Sequence, residues 1–310
     1  PAPILLVVHV SPDAPSLLPQ VLGRHAAIAV KAAENGEIAR PGVLYVAPSD
    51  LHLLIERGGR LRTVRGPREN RHRPAVDPLF RSAAMAFGPR AIAVVLSGSL
   101  DDGTAGLVAI KQRGGIALVQ EPSDALFPSM PASAIAHVEV DRLVTIATLG
   151  ETLEKIVNAP FPEAVPTGDG GRIEMEKKIA AFESETLQVD DRPGNPSAFS
   201  CPDCGGVLWE IEEHPTLVRY RCRVGHALSP ETMLTAQDDK LEEALWTALK
   251  TLEESARLSK RLAETQRKEG HDWMQERFEA KERDARERAE VIRRVLLTGR
   301  SEVALLEAVD

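Results

Sequence analysis

The sequence predicts an α/β domain on a doubly wound, mostly parallel sheet with an antiparallel insertion, followed by a small cysteine-bearing ribbon and a helical hairpin. The expectation rests on strand-like and helix-like stretches that alternate as far as Ala159, on cysteines confined to one window, and on long charged stretches with helically spaced apolar residues after it. Residues 4–8, 91–96, 116–120 and 138–140 are short, rich in Val, Ile and Ala, and bounded by turn residues, the composition of strands buried on both faces. Between them, residues 16–24, 76–86 and 104–113 place apolar side chains at helical spacing, and Gly114-Gly115 closes the last of these helices. Strand–helix–strand repetition means parallel strands joined by crossovers. Residues 42–65 break the rhythm. Val43-Leu44-Tyr45-Val46, residues 51–55, a Gly58-Gly59 turn and residues 61–64 read as the antiparallel insertion. The first domain is thus residues 1–159.

Residues 160–198 turn to Pro, Gly and acidic composition and read as a linker, with 172–182 as its one helical stretch. Residues 199–229 hold all three cysteines. Residues 230–310 read as a helical hairpin or a dimerising coiled coil, the route to a homo-oligomer. One stripe runs through Leu241, Leu245, Ala248, Leu252, Ser255, Ala256, Ser259 and Leu262. Lys268-Glu269-Gly270 makes the turn, and a second stripe runs from Trp273 through Phe278, Ala285 and Ala289 to Ile292, Val295 and Leu296.

A chain 43% hydrophobic and 27% charged has ordinary globular composition. Its net charge of −8 argues against nucleic acid as a partner, and Arg219, Arg221 and Arg223 stand in acidic surroundings. No apolar run approaches the roughly 20 residues of a bilayer span, and the start lacks a secretory pattern. Together with the clustered thiols, this predicts a reduced, cytoplasmic protein without membrane insertion. The chain opens at Pro1, almost directly in the strand-like run 4–8, which reads as a domain lacking its upstream part.

Cys201-x2-Cys204, seventeen intervening residues, then Cys222-x3-His226 is a metal-ligand pattern. Two short-spaced pairs on the turns of a ribbon supply four soft or borderline donors, which suits a small zinc ribbon. Four protein ligands leave no open position, so the zinc is structural and no catalytic cofactor is expected. His214 is an alternative fourth ligand.

His9 follows residues 4–8 and Asp101-Asp102-Gly103 follows residues 91–96, so both fall at the carboxyl ends of parallel strands, where ligands gather in open α/β sheets. A His and an Asp there form the orienting half of an acyl-transfer triad. Asp101 or Asp102 also suits capping of the helix that starts near Thr104. Arg71, His72 and Arg73 either face the substrate cleft or pack around Asp77 and its loop. Glu34 to Glu37 reads as a loop-shaping turn, and His25, His52, His137 and His271 as structural or solvated.

Several stretches together resemble one family. They are His9-Val10-Ser11-Pro12, Lys31-Ala32-Ala33-Glu34-Asn35-Gly36-Glu37, Pro41-Gly42-Val43-Leu44-Tyr45-Val46-Ala47-Pro48, Asn70-Arg71-His72-Arg73-Pro74-Ala75-Val76-Asp77 and Asp102-Gly103-Thr104-Ala105-Gly106. Through them residues 4 to about 157 resemble the catalytic domain of the chemotaxis receptor protein-glutamate methylesterase, the CheB type. The resemblance implies a doubly wound hydrolase domain acting in chemotaxis signal transduction. It would cleave γ-glutamyl methyl esters, and deamidate glutamine, on methyl-accepting chemotaxis receptors or other methylated signalling proteins. It implies a Ser-His-Asp triad with His9 and Asp102 catalytic, and a backbone amide near Ser99 as oxyanion donor. The nucleophilic Ser would sit in a glycine-rich turn upstream of Pro1, since Ser11 and Ser16 follow His9 too closely. The family's Gly-Met-Gly-x-Asp-Gly loop reads Gly98-Ser99-Leu100-Asp101-Asp102-Gly103 here, with Leu100 in a glycine's place. The cysteine-bearing tail resembles one found on some stand-alone members, and no receiver domain is visible. The alternative function is a non-catalytic receptor-signalling scaffold, in which a degenerate esterase domain, the ribbon and the helical tail assemble partners.

Overall fold

The computed structural model describes residues 2–13, 16–160, 170–183 and 194–298. The chain divides into two compact units, Pro1–Met233 and Leu234–Asp310. In the first, β1 (Ile4–Leu6), β2 (Ala29–Ala32) and β3 (Val43–Val46) form a parallel sheet in the order β1-β3-β2, with α1 (Leu18–Gly23) between β1 and β2. A hairpin of β4 (His52–Ile55) and β5 (Leu61–Val64) follows, then α2 (Val76–Phe87). A second parallel sheet, β6-β7-β8, is built from β6 (Ile92–Val95), β7 (Ile116–Gln120) and β8 (Arg142–Val144), connected by α3 (Thr104–Gln112) and α4 (Ser129–His137). Helix α5 (Ile146–Asn158) comes after β8. Leu53, Ile55 and Leu61 from the hairpin, Leu79 and Ala84 from α2, Leu107 and Ile110 from α3, and Val95, Ala117 and Val119 from the second sheet share one buried core.

Three expectations are corrected. Among the described residues the parallel strands form two three-stranded sheets instead of one, because patterning marks a strand as buried without naming its neighbour. Residues 43–46 belong to the first parallel sheet as its central strand, and the antiparallel element is only the β4–β5 hairpin. A short branched run with Tyr45 and Val46 both buried reads alike in either setting. Residues 138–140 are not a strand. Val138 ends α4, and pairing to β7 begins only after Asp141, whose carboxylate accepts the Ala117 amide at 2.7 Å.

The stretch expected as a linker contains α6 (Gly170–Ala180), whose Ile173, Glu176 and Ile179 are buried in the first unit. Next comes a four-stranded antiparallel sheet, β12-β11-β10-β9, made of β9 (Asn195–Ser200), β10 (Val207–His214), β11 (Leu217–Cys222) and β12 (Ala227–Leu228). It meets the α/β core through buried charge. Glu69, before α2, accepts from Arg81 of α2 and from Arg219 (3.3 Å) and Arg221 (3.1 Å) of β11. Glu176 of α6 takes Arg221 at 2.5 Å and Arg219 at 3.4 Å, and Glu213 of β10 takes Arg219 at 2.8 Å. Three guanidinium groups thus face three carboxylates. Burial raises the cost of every charge here, yet the arginines hold the Glu69 and Glu176 carboxyls well below their ordinary range.

The second unit is a pair of helices, α7 (Pro230–Glu269), whose first turn belongs to the first unit, and α8 (Asp272–Thr298), turning at Gly270 as expected. Its seam is one residue out of the expected stripe at two places. Leu249, Ala256, Ser259, Ala263, Ala285 and Ala289 are buried, while Leu241, Leu262 and Trp273 are exposed. Small residues let the two backbones approach, so large side chains at the flanks stay outside. Among the described residues no helix is long and apolar enough to cross a membrane.

Candidate active site and metal centre

His9 lies just past β1 and Asp102 in the loop from β6 to α3, and the structure brings them together. His9 Nε2 is 2.7 Å from Asp102 Oδ2. Asp102 is 1% exposed and His9 21%, a buried carboxylate behind an accessible imidazole. Three more donors saturate the carboxylate: the amides of Val76 (2.7 Å) and Asp77 (3.2 Å), and Asn70 Nδ2 (3.3 Å). Val76 and Asp77 open α2, whose own N-cap, Ala75, has no capping side chain. Asp102 therefore serves as the cap of α2, in the position where helix amides and dipole favour a negative charge. The service is reciprocal. Asp77, inside α2, accepts the amides of Gly103 (3.1 Å) and Gly106 (2.6 Å) at the start of α3, where Gly103 stands at φ +97°. Neither Asp101 nor Asp102 caps α3 with its side chain. That expectation is replaced by two helix starts, each capped by an acid of the other.

The two carboxyls differ in charge as well as in place. Burial pushes Asp102 up, but His9 and the Val76 and Asp77 amides outweigh it and hold the group below its ordinary value. Asp77 is pushed up to about 7 by burial and by the Asp102 charge. With Asp102 ionised and able only to accept, His9 Nε2 must carry the proton, which leaves Nδ1 free to act as a base.

His72 stacks on His9, centroids 3.8 Å apart and planes 5° from parallel. Burial and the His9 charge lower its pKa to about 4, so His72 is neutral at pH 7. A groove of about 330 Å³ opens here, lined by His9, residues 10–12, Asp50, Arg68 and the three expected residues Arg71, His72 and Arg73. Arg73 is committed within it. Its Nε and Nη2 bind Asp50 Oδ1 at 2.9 and 2.5 Å, and its Nη1 binds the Gly66 carbonyl. Its partner is Asp50, not Asp77. Ser99 is exposed in the β6–α3 loop, beside Leu100 at φ +62°, and is not part of the groove lining. His52 is fully buried, with Nε2 on the Pro67 carbonyl and Nδ1 accepting the Ala75 amide, a neutral structural histidine.

Sequence reasoning gave no role to Asn70. It is buried, adopts φ +48°, and spends its amide nitrogen on both Asp77 Oδ2 (3.2 Å) and Asp102 Oδ1. Asn is the side chain that best tolerates such a backbone, and that was the available signal.

The cysteine window forms the second constellation. One ligand atom from each of Cys201, Cys204, Cys222 and His226 lies within 4.8 Å of all the others. Cys204 Sγ is 3.6 Å from Cys222 Sγ, and His226 Nδ1 is 3.7 Å from Cys201 Sγ and 3.6 Å from Cys222 Sγ. Zinc bonds of about 2.3 Å to sulfur, arranged tetrahedrally, put ligand atoms roughly 3.8 Å apart, so the donor set fits a four-coordinate ion. The Asp203 and Cys204 amides point at Cys201 Sγ. His214 takes no part, its Nδ1 lying 3.1 Å from Thr216 Oγ1. Gly225, between two ligands at φ +108°, leaves no room for a Cβ, which would meet Pro67 Cγ at 2.7 Å.

Residues 1–153 match the family model described as CheB methylesterase. A putative protein-glutamate methylesterase/protein-glutamine glutaminase of Leptospira interrogans is 36% identical over 149 residues, 48% of this chain and 77% of that protein. The Pectobacterium atrosepticum protein-glutamate methylesterase/protein-glutamine glutaminase is 37% identical over 159 residues, 50% of this chain and 45% of its own length. The enzyme of the same name from Pyrococcus abyssi is 37% identical, with 43% of its length covered. The crystal structure of the Thermotoga maritima CheB methylesterase catalytic domain aligns with TM-score 0.49 and 32% identity, over 51% of this chain and 85% of that one.

Proposed function

Because the chain belongs to the CheB methylesterase family and is a hydrolase of that type, we propose that it cleaves γ-glutamyl methyl esters, and deamidates glutamine, on methylated chemotaxis-type receptors in the cytoplasm. The observation that carries this reading is the 2.7 Å bond from a groove-lining His9 to a buried, amide-saturated Asp102. In the acyl-enzyme route a serine oxygen, from the turn expected upstream of His9, adds to the ester carbonyl as His9 Nδ1 takes its proton. Asp102 holds the ring and stabilises the imidazolium. His9 then returns the proton to the departing methoxide and methanol leaves; a water deprotonated by His9 adds to the acyl carbon, the acyl–serine bond breaks, and His9 passes the proton to the serine oxygen as the glutamate is freed. An amide near Ser99 serves the oxyanion once the Ser99–Leu100 loop and the acyl group meet. Arg68 and Arg71 at the groove suit an acidic receptor surface, while Arg73 shapes the wall through Asp50. Three thiols gathered as ligands suit a reducing compartment.

The four-ligand centre is read as a structural zinc ribbon with no catalytic role. Zinc near one per chain is expected in protein prepared without chelators, and an elemental analysis well below that overturns the assignment. For the esterase, natively purified protein is expected to release methanol from methylated receptor membranes and His9→Ala protein to release none. Full release by the variant overturns the reading. No release by either favours a receptor-binding scaffold.

A further inference from the structure

The hydrogen bonds that place Asp102 continue into the cysteine-bearing segment. Asn70, which holds Asp102 Oδ1, donates its own backbone amide to the Ala227 carbonyl at 2.8 Å and accepts the Ser229 amide on Oδ1 at 3.2 Å. Ala227 returns a bond to the Arg68 carbonyl, so β12 lies along the segment that carries Arg68, Asn70 and His72. Asp101, the neighbour of Asp102, is 5% exposed and accepts Thr232 Oγ1 at 3.1 Å, with the Ser229 hydroxyl as a further donor. Thr232 is itself fully buried and its amide binds Ser229 Oγ. Ala227 directly follows the ligand His226, whose carbonyl accepts the Cys222 amide. From His226 the path thus runs along the chain to Ala227 and then through hydrogen bonds of 2.8–3.3 Å by buried Asn70 to Asp102.

We infer that the metal-binding ribbon completes the active site: β12 and the first turn of α7 clamp Asn70 and Asp101, and through them fix Asp102 against His9. Asn70 and Thr232 are positioning residues in this scheme. The inference rests on the His9–Asp102 reading given above. It makes metal occupancy of Cys201, Cys204, Cys222 and His226 a condition for an ordered catalytic pair, a control lodged in the ribbon.

The test uses Thr232→Val and Asn70→Ser in the full chain, together with metal-stripped wild-type protein. It reads both methanol release and the imidazole N–H proton resonance of His9, which reports the bond to Asp102 and is identified by its loss in His9→Gln. Thr232→Val nearly preserves shape, so it folds even if Asn70→Ser does not. Loss of one buried hydrogen bond lowers kcat by about fivefold with KM unchanged, and loss of Asn70 by about tenfold or more. In all three samples the resonance broadens or shifts. Thr216→Val, a hydroxyl-for-methyl change in the exposed turn of the same ribbon, moves neither readout. A wild-type resonance retained in Thr232→Val, Asn70→Ser and metal-stripped protein overturns the inference. Because the resonance needs no turnover, it decides the clamp even if His9→Ala shows the esterase reading itself to be wrong.

Discussion

Around Glu69 the first unit buries charge against charge, whereas around Asp102 it buries charge against backbone amides. The Glu69 cluster sets three arginines beside three glutamates, and their mutual attraction holds Glu69 and Glu176 ionised. The Asp102 cluster holds two carboxyls whose hydrogen bonds come mainly from backbone amides, with His9 on Asp102 and Arg219 and Arg81 acting on Asp77 only through space, and the two part company, Asp102 shifting down and Asp77 up. Paired charge costs desolvation on both sides and yields architecture. Amide-held carboxyls with diverging proton affinities beside an accessible imidazole suit chemistry.

Four measurements break or sharpen that contrast. Asp102→Asn lowers methanol release about 10³–10⁴-fold, since an amide NH2 turned toward the imidazole favours the wrong tautomer, and it lowers the urea midpoint moderately, because the NH2 also leaves a buried donor of the α2 start or Asn70 without its acceptor. A stability loss as large as that of Glu69→Ala would merge the two clusters into one kind. Glu69→Ala takes the bound carboxylate from buried Arg81 and leaves Arg219 and Arg221 to Glu176 and Glu213 alone, which costs about 3–5 kcal/mol in denaturant unfolding; a loss under about 1 kcal/mol would show that water reaches the cluster. The pH dependence separates His72 from Asp77. With the folded His72 near 4 and the unfolded near 6.5, the unfolded chain binds the extra proton between those values, so this group's contribution falls as pH drops through that window. Asp77, raised to about 7, works the other way, its contribution present below pH 4 and lost as pH rises through 7. His72→Gln is therefore expected to flatten the acid-side loss of stability, and Asp77→Asn the loss toward neutrality, in melts taken from pH 4 to 8. Arg293→Ala, which breaks exposed pairs to Glu253 and Glu290 in the second unit, shifts the urea midpoint least of all, an effect that salt erases.

How much of this could be read beforehand follows the range of each interaction. Residues 116–120 are the strand their composition announces, and the helices near 76 and 104 start where their apolar spacing starts. His9 and Asp102 were legible because each follows the carboxyl end of a parallel strand, β1 in one sheet and β6 in the other, although the sequence did not reveal that the two strands stand in separate sheets. The partnership of Asp102 with α2 was not, since the cap comes from 26 positions away and no local pattern encodes it. Arg73 and Asp50 are hidden for the same reason. The four metal ligands were legible because their pairing is local twice over, and the arginines of β11 looked like surface charge because their carboxylates lie on other elements.

The ionic cluster also bears on descent. A recombination that exchanged residues 195–228 for another module would leave Glu69 and Glu176 buried with Arg81 alone, two anions to one cation. Such an exchange is therefore expected to fold only with both carboxyls neutralised in the same step, and a chimera carrying Glu69→Gln and Glu176→Gln should be more stable to urea than the same chimera without them.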